Sequence, residues 1–128
     1  MQKITSLSLL LGLILFSSCG TMQTSTTSMT NDYNQTPDLS RVTYEGGNGT
    51  SIETAIIIKN AGNERNGIAA EYAYISKIHG QKFTTWKPNG SSTNFMNGKK
   101  IDIINITTLP RNEQKMYYFD ISDFYGKF

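Results

Sequence analysis

The chain has 128 residues, 38% of them hydrophobic and 17% charged, with a formal net charge of +2. A single cysteine excludes an intramolecular disulfide, and a single histidine leaves no ligand pair of the kind that metal motifs use. So small a net charge makes no electrostatic case for nucleic acid, which needs a clustered basic face, and no charge run marks a membrane-surface helix.

The first element is the stretch Met1-Gln2-Lys3 followed by a mostly apolar run from Ile4 to Phe16 and then Ser17-Ser18-Cys19. One basic residue, a short apolar run and small residues at the boundary are the layout of a secretory signal peptide. The run is shorter than the roughly 20 residues that a membrane span requires. At its end, Phe16-Ser17-Ser18-Cys19 resembles the lipobox of bacterial lipoproteins, with Phe16 where leucine is usual. That resemblance implies cleavage before Cys19, thioether lipidation of its sulfur and acylation of the new amino terminus. One acyl chain binds a bilayer only marginally, whereas several make a durable anchor. The alternative is an ordinary signal peptide that leaves Cys19 as a free thiol. A catalytic Cys19 would need a positioned base, which a terminus of this composition cannot supply. By the sorting pattern of such lipoproteins, Gly20 in place of an acidic residue implies the outer membrane. The lack of acidic residues from Gly20 to Thr24 implies the periplasmic face.

Removal of residues 1–18 takes Lys3 away and leaves eleven basic against ten acidic residues, a net charge of +1. Residues 19–50 are rich in Thr, Ser, Asn, Gln and Gly and read as a disordered tether, because such a segment buries too little apolar surface to offset the entropy of ordering it. Within it, Arg41 to Tyr44 could form a short edge strand. The remaining residues 51–128 make one small domain with a single modest core, since a chain of this size buries only about 60% of its unfolded surface.

In that domain the β-branched run Ile56-Ile57-Ile58 predicts a buried strand over 54–59. Asn63 is placed to cap a helix that runs to a left-handed cap at Gly80. Ile68, Tyr72, Ile75 and His79 share one face of that helix, with Ile78 beside them, while Gly67 weakens its first turn. Residues 83–87 and 91–95 follow as strand pieces interrupted at Pro88-Asn89-Gly90, and Asn97-Gly98 is a hairpin signal. The run from Lys99 to Leu109 alternates well enough for another strand, Pro110 to Glu113 turns the chain, and Tyr117, Phe119 and Ile121 share one face of the last strand. The expected fold class is α+β: one helix on an antiparallel sheet of about four strands in the order β-α-β-β-β. This order resembles that of cystatin-like or β-lactamase-inhibitor-like domains. The cystatin signature loop is missing, so inhibition is not implied. The tail Tyr117 to Phe128 resembles the ending of small bacterial envelope domains of unassigned function.

Candidate chemistry is sparse. His79 at the helix end is read as structural, its charged form favoured by the helix dipole. Asp120 and Asp123 are a conceivable carboxylate pair, but Ser122 or Asp123 more simply caps a final turn. Glu71 and Asp102 lie far apart in the sequence. No metal, cofactor or catalytic set is expected. Six aromatics fall between Tyr117 and Phe128; Phe119 and Phe124 are expected in the core, whereas Tyr118, Tyr125 and Trp86 are candidates for an exposed binding surface. The expectation is a lipid-anchored, periplasm-facing, non-enzymatic envelope protein, held to the membrane through Cys19 and binding another envelope protein. A glycan- or peptide-binding module is the alternative, and a small hydrolase the remote one.

Overall fold

The computed structural model describes residues 35–128. The leader, Cys19 and the first part of the expected tether lie outside the described residues. The described chain is α+β: β1 (Thr43–Gly46), β2 (Ile56–Lys59), α1 (Glu64–His79), β3 (Trp86–Met96), β4 (Lys99–Thr108) and β5 (Glu113–Asp120). The strands form one sheet in the order β1-β2-β5-β4-β3.

Two expectations change at this level. The sheet has five strands rather than about four, and it is mixed, because β2 lies parallel to β5 with Ile56 opposite Phe119. The fifth strand comes from the segment read as tether. Residues 43–46 pair antiparallel with β2, Tyr44 opposite Ile58, and the Tyr44 hydroxyl donates to the Ala70 carbonyl at 2.8 Å. Leu39 and Val42 pack against the core, and the Gly49 carbonyl accepts from the Tyr118 amide at 2.8 Å. The folded unit therefore begins well before residue 51. The short edge strand that Arg41 to Tyr44 could form is thus present at residues 43–46; polar composition left it only an option, because an edge strand is held largely by backbone hydrogen bonds, which hydropathy does not register.

Pro88-Asn89-Gly90 bends the chain without ending it. β3 is a single strand of 11 residues with a register shift between Pro88 and Ser91. Proline is tolerated there because β3 is a sheet edge, where a missing N–H leaves no ladder bond broken. Asn97 and Gly98 both adopt positive φ, 51° and 74°, and close the β3–β4 hairpin as their sequence suggests.

The helix forms where expected, but a different face is buried. Asn63 caps it, its side chain accepting from the Asn66 amide at 2.9 Å. Gly67, Ala70, Glu71 and Ile75 face the sheet, while Ile68 and Ile78 are each 49% exposed. Small residues at 67 and 70 let the helix come close, and Phe124 fills the space left: a Cβ at Gly67 would lie 2.2 Å from its ring. The core combines Ile56, Ile58, Ile75, Trp86, Ile104, Ile106, Tyr117, Phe119, Ile121 and Phe124. Phe119 and Phe124 are thus buried as their positions predicted.

The last residues clasp the start of the helix. The Glu64 amide donates to the Lys127 carbonyl at 2.8 Å, the Gly126 amide donates to Glu64 Oε1 at 2.6 Å, and the Asn60 amide donates to Asp123 Oδ2 at 3.0 Å. With Asn66 Nδ2 donating to the Ala61 carbonyl at 2.9 Å, this end of the domain is closed by its own backbone and side chains.

Candidate functional site

Trp86 is fully buried and cannot belong to an exposed aromatic surface. Its indole N–H donates to the Gly80 carbonyl at 2.9 Å, and its ring is stacked with Tyr72 at a centroid distance of 6.2 Å. A buried indole whose one donor is satisfied is a core residue that closes the end of the helix. Tyr118 is half-buried on the sheet face turned away from α1, opposite Ile103. Tyr125 is exposed, with the Lys100 ammonium 4.4 Å from its ring centre. The three candidate aromatics therefore do not meet on one surface. Cys19 lies outside the described residues.

Asp120 and Asp123 are occupied by the fold. Asp120 is buried; although burial alone would raise its pKa, hydrogen bonds from Ser122 and the Lys99 ammonium 3.1 Å away outweigh that and hold it low. Asp123 holds the Asn60 amide and helps to line a polar recess with Arg41, Asn60, Gly62 and Lys127.

His79 lies at a more open place. The helix end, the loop from Gln81 to Thr85 and the β4–β5 turn converge there, and Thr85 is fixed to the turn because its carbonyl accepts from the Leu109 amide at 2.9 Å. Between them is a cavity of about 360 Å³ lined by His79, Thr85, Thr108, Pro110, Arg111, Glu113 and Lys115. His79 Nε2 and the Tyr117 hydroxyl are 2.7 Å apart. Contrary to the dipole expectation, burial and then Lys115 push the His79 pKa down, so the neutral ring is favoured and can accept a hydrogen bond from the Tyr117 hydroxyl. Burial and then Tyr74 raise the Tyr117 pKa, which keeps the phenol protonated and makes it a poor nucleophile. Arg111 and Lys115 both lie near Glu113, at 3.8 and 3.7 Å. The wall thus offers hydroxyls, a neutral imidazole and mixed charge, a set suited to holding a polar group.

The loop that supplies Thr85 also carries Phe83. That side chain is 71% exposed although its backbone has φ of 65°, a left-handed conformation that a bulky residue rarely adopts. The Phe83 amide donates to the Trp86 carbonyl at 2.6 Å, which holds the conformation in place. The adjacent Lys82 ammonium sits 3.9 Å from the Tyr72 ring centre and 5.1 Å from that of Phe83. An aromatic ring held out in solvent at a backbone cost of about 1–3 kcal/mol is the kind of strain that gathers at functional loops. Composition hid Phe83, since an isolated phenylalanine before Trp86 reads as one more core residue.

The structure also brings together the two acids that are remote in sequence. Glu71 of α1 is buried, Asp102 lies on the helix-facing side of β4 opposite Thr93 and Phe119, and the two carboxyl groups are neighbours. Thr93 Oγ1 donates to Asp102 Oδ1 at 3.1 Å. Burial first, then the charge of Asp102, push the Glu71 pKa up to about 9. Among the described residues no group of three or more His, Cys, Asp or Glu side chains could hold a metal ion.

Compared with protein-family models, with curated proteins and with solved structures, the chain matches none.

Proposed function

We propose that this protein is a lipid-anchored, periplasm-facing outer-membrane protein whose folded domain is a non-enzymatic protein-binding or assembly module. Its docking end comprises Phe83, Leu109 and the His79 cavity. The observation that carries this reading is Phe83, an exposed aromatic held in a strained backbone on the loop whose Thr85 lines the His79 cavity. Exposed aromatic anchors next to a recess are the usual energetic centre of protein interfaces. One helix on a five-stranded sheet, with loops gathered at one end, suits binding through those loops. The anchor rests on the Phe16-Ser17-Ser18-Cys19 boundary.

A photo-crosslinking residue at position 83, in intact envelopes, tests the docking end. A discrete crosslinked protein that disappears when the photo-crosslinker is moved to Ser92 supports the reading, and the absence of any position-specific product overturns it. Metabolic lipid labelling tests the anchor: label on the wild type that is lost in Cys19→Ser supports it, and an unlabelled wild type sinks it. A second reading, a glycan- or peptide-binding module, draws on Tyr125 and Phe95, both exposed around Lys100. Binding on a glycan or peptide array that is lost in Tyr125→Ala would favour it.

A further inference from the structure

Glu71 is 1% exposed, and its Oε1 has no hydrogen-bond partner. A carboxylate in that position would be a buried charge without compensation, which folded proteins avoid by pairing it or neutralising it. Its neighbour across the helix–sheet contact is another acid, Asp102. Two carboxyl groups can hydrogen-bond each other only if one of them carries a proton, because two carboxylates have acceptors and no donor. Burial raises the Asp102 pKa as well, but Thr93 donates to it and the Ile103 backbone hydrogen-bonds it, so of the two acids Asp102 has the better support for charge. The proton therefore belongs on Glu71. We propose that Glu71 and Asp102 share a single proton across the contact between α1 and the β3–β4 hairpin, and that its removal by alkali loosens the helix from the hairpin.

From β5 the residue opposite Asp102 is Phe119, and from β3 it is Thr93; neither is ionisable. The helix contributes Tyr72, whose pKa is raised by burial and then by Glu71 and Asp102. The nearby cations are engaged with rings: Lys82 lies over Tyr72 and Phe83, and Lys100 over Tyr125 and Phe95. With two acids and one hydroxyl, the site is also too poor in ligands for a calcium or magnesium ion, which take six or more oxygens.

The pH dependence follows from the direction of the shift. In the unfolded chain Glu71 loses its proton near the ordinary value of 4.5, whereas in the fold it holds the proton to about 9. Between those values the folded state binds the extra proton, so rising pH favours unfolding by up to about tenfold in the equilibrium constant per pH unit. The stabilisation is complete below the lower value and lost once the pH passes the upper one.

The test is carboxyl carbon NMR of the full chain in detergent micelles, with labelled glutamate and aspartate, across a pH titration. The expected result is a Glu71 midpoint near 9, moved down by about one pH unit or more in Asp102→Asn. Glu71→Gln should fold and remove the fall in melting temperature that the wild type shows from about pH 5 to about pH 10. A wild-type Glu71 midpoint below about 6 overturns the proposal, and that measurement needs no variant to fold. A Glu71 signal moved by Mg²⁺ or Ca²⁺ at constant pH also overturns it, by placing a cation where the proton is assigned.

Discussion

The two ends of α1 are built differently. At the amino end the free amides are taken by Asn63 and by the chain's last residues, and Phe124 fills the gap above Gly67. At the carboxyl end lie a cavity and an exposed phenylalanine in the left-handed region, while mid-helix sits a buried glutamic acid. One end is optimised for closure, and the other retains strain and an open cavity. Features of the second kind lower stability and so mark where a function could be drawing on the fold.

Substitutions can break this contrast. Phe124→Ala at the closed end should destabilise by about 3–5 kcal/mol, read from denaturant or thermal unfolding, because it empties the site above Gly67. Trp86→Ala should cost a similar amount, so any loss of binding in that variant would report unfolding rather than a lost contact. Gly67→Ala sets two effects against each other: helix propensity gains about 1 kcal/mol, while overpacking against the Phe124 ring costs about 1–3 kcal/mol. A net loss is expected, and a gain would show that the clasp is looser than described. Asn63→Ala should cost about 1 kcal/mol through the lost cap. At the open end the sign reverses. Phe83→Gly should leave stability unchanged or raise it by about 1 kcal/mol, because glycine relieves the positive φ, while abolishing crosslinking to a partner from a photo-crosslinker placed at Leu109. A large loss of stability in Phe83→Gly would show that the ring is structural. The smallest effect is expected for His79. Its lowered pKa means that the contribution is present above the ordinary histidine value and is lost as pH falls through the folded value, so His79→Gln should slightly flatten the acid side of a stability profile.

Local signals reported their elements well. Asn63, Asn97-Gly98 and the alternation around Tyr117, Phe119 and Ile121 each act through neighbours a few residues away, and all three appear as the sequence indicates. The helix face was misread because Gly67 and Ala70 carry little hydrophobic weight, yet their smallness is what brings the helix onto the sheet. Trp86 was placed outside for a related reason: no property of the residue itself reveals that the Gly80 carbonyl will satisfy its indole. Phe83 and the Glu71–Asp102 pair were invisible, one depending on a backbone angle and the other on two residues 31 positions apart.

The sequence by itself determined the helix with its Asn63 cap, the Asn97-Gly98 hairpin and the aromatic strand that supplies much of the core. These rest on composition, short-range sterics and periodicity, which are properties of adjacent residues. Tertiary structure decided that residues 43–46 join the sheet, that β2 lies parallel to β5, that Trp86 is buried and that Glu71 is buried beside a second acid, Asp102. Each of these depends on groups brought together across the fold, where burial removes the water that would otherwise keep them independent.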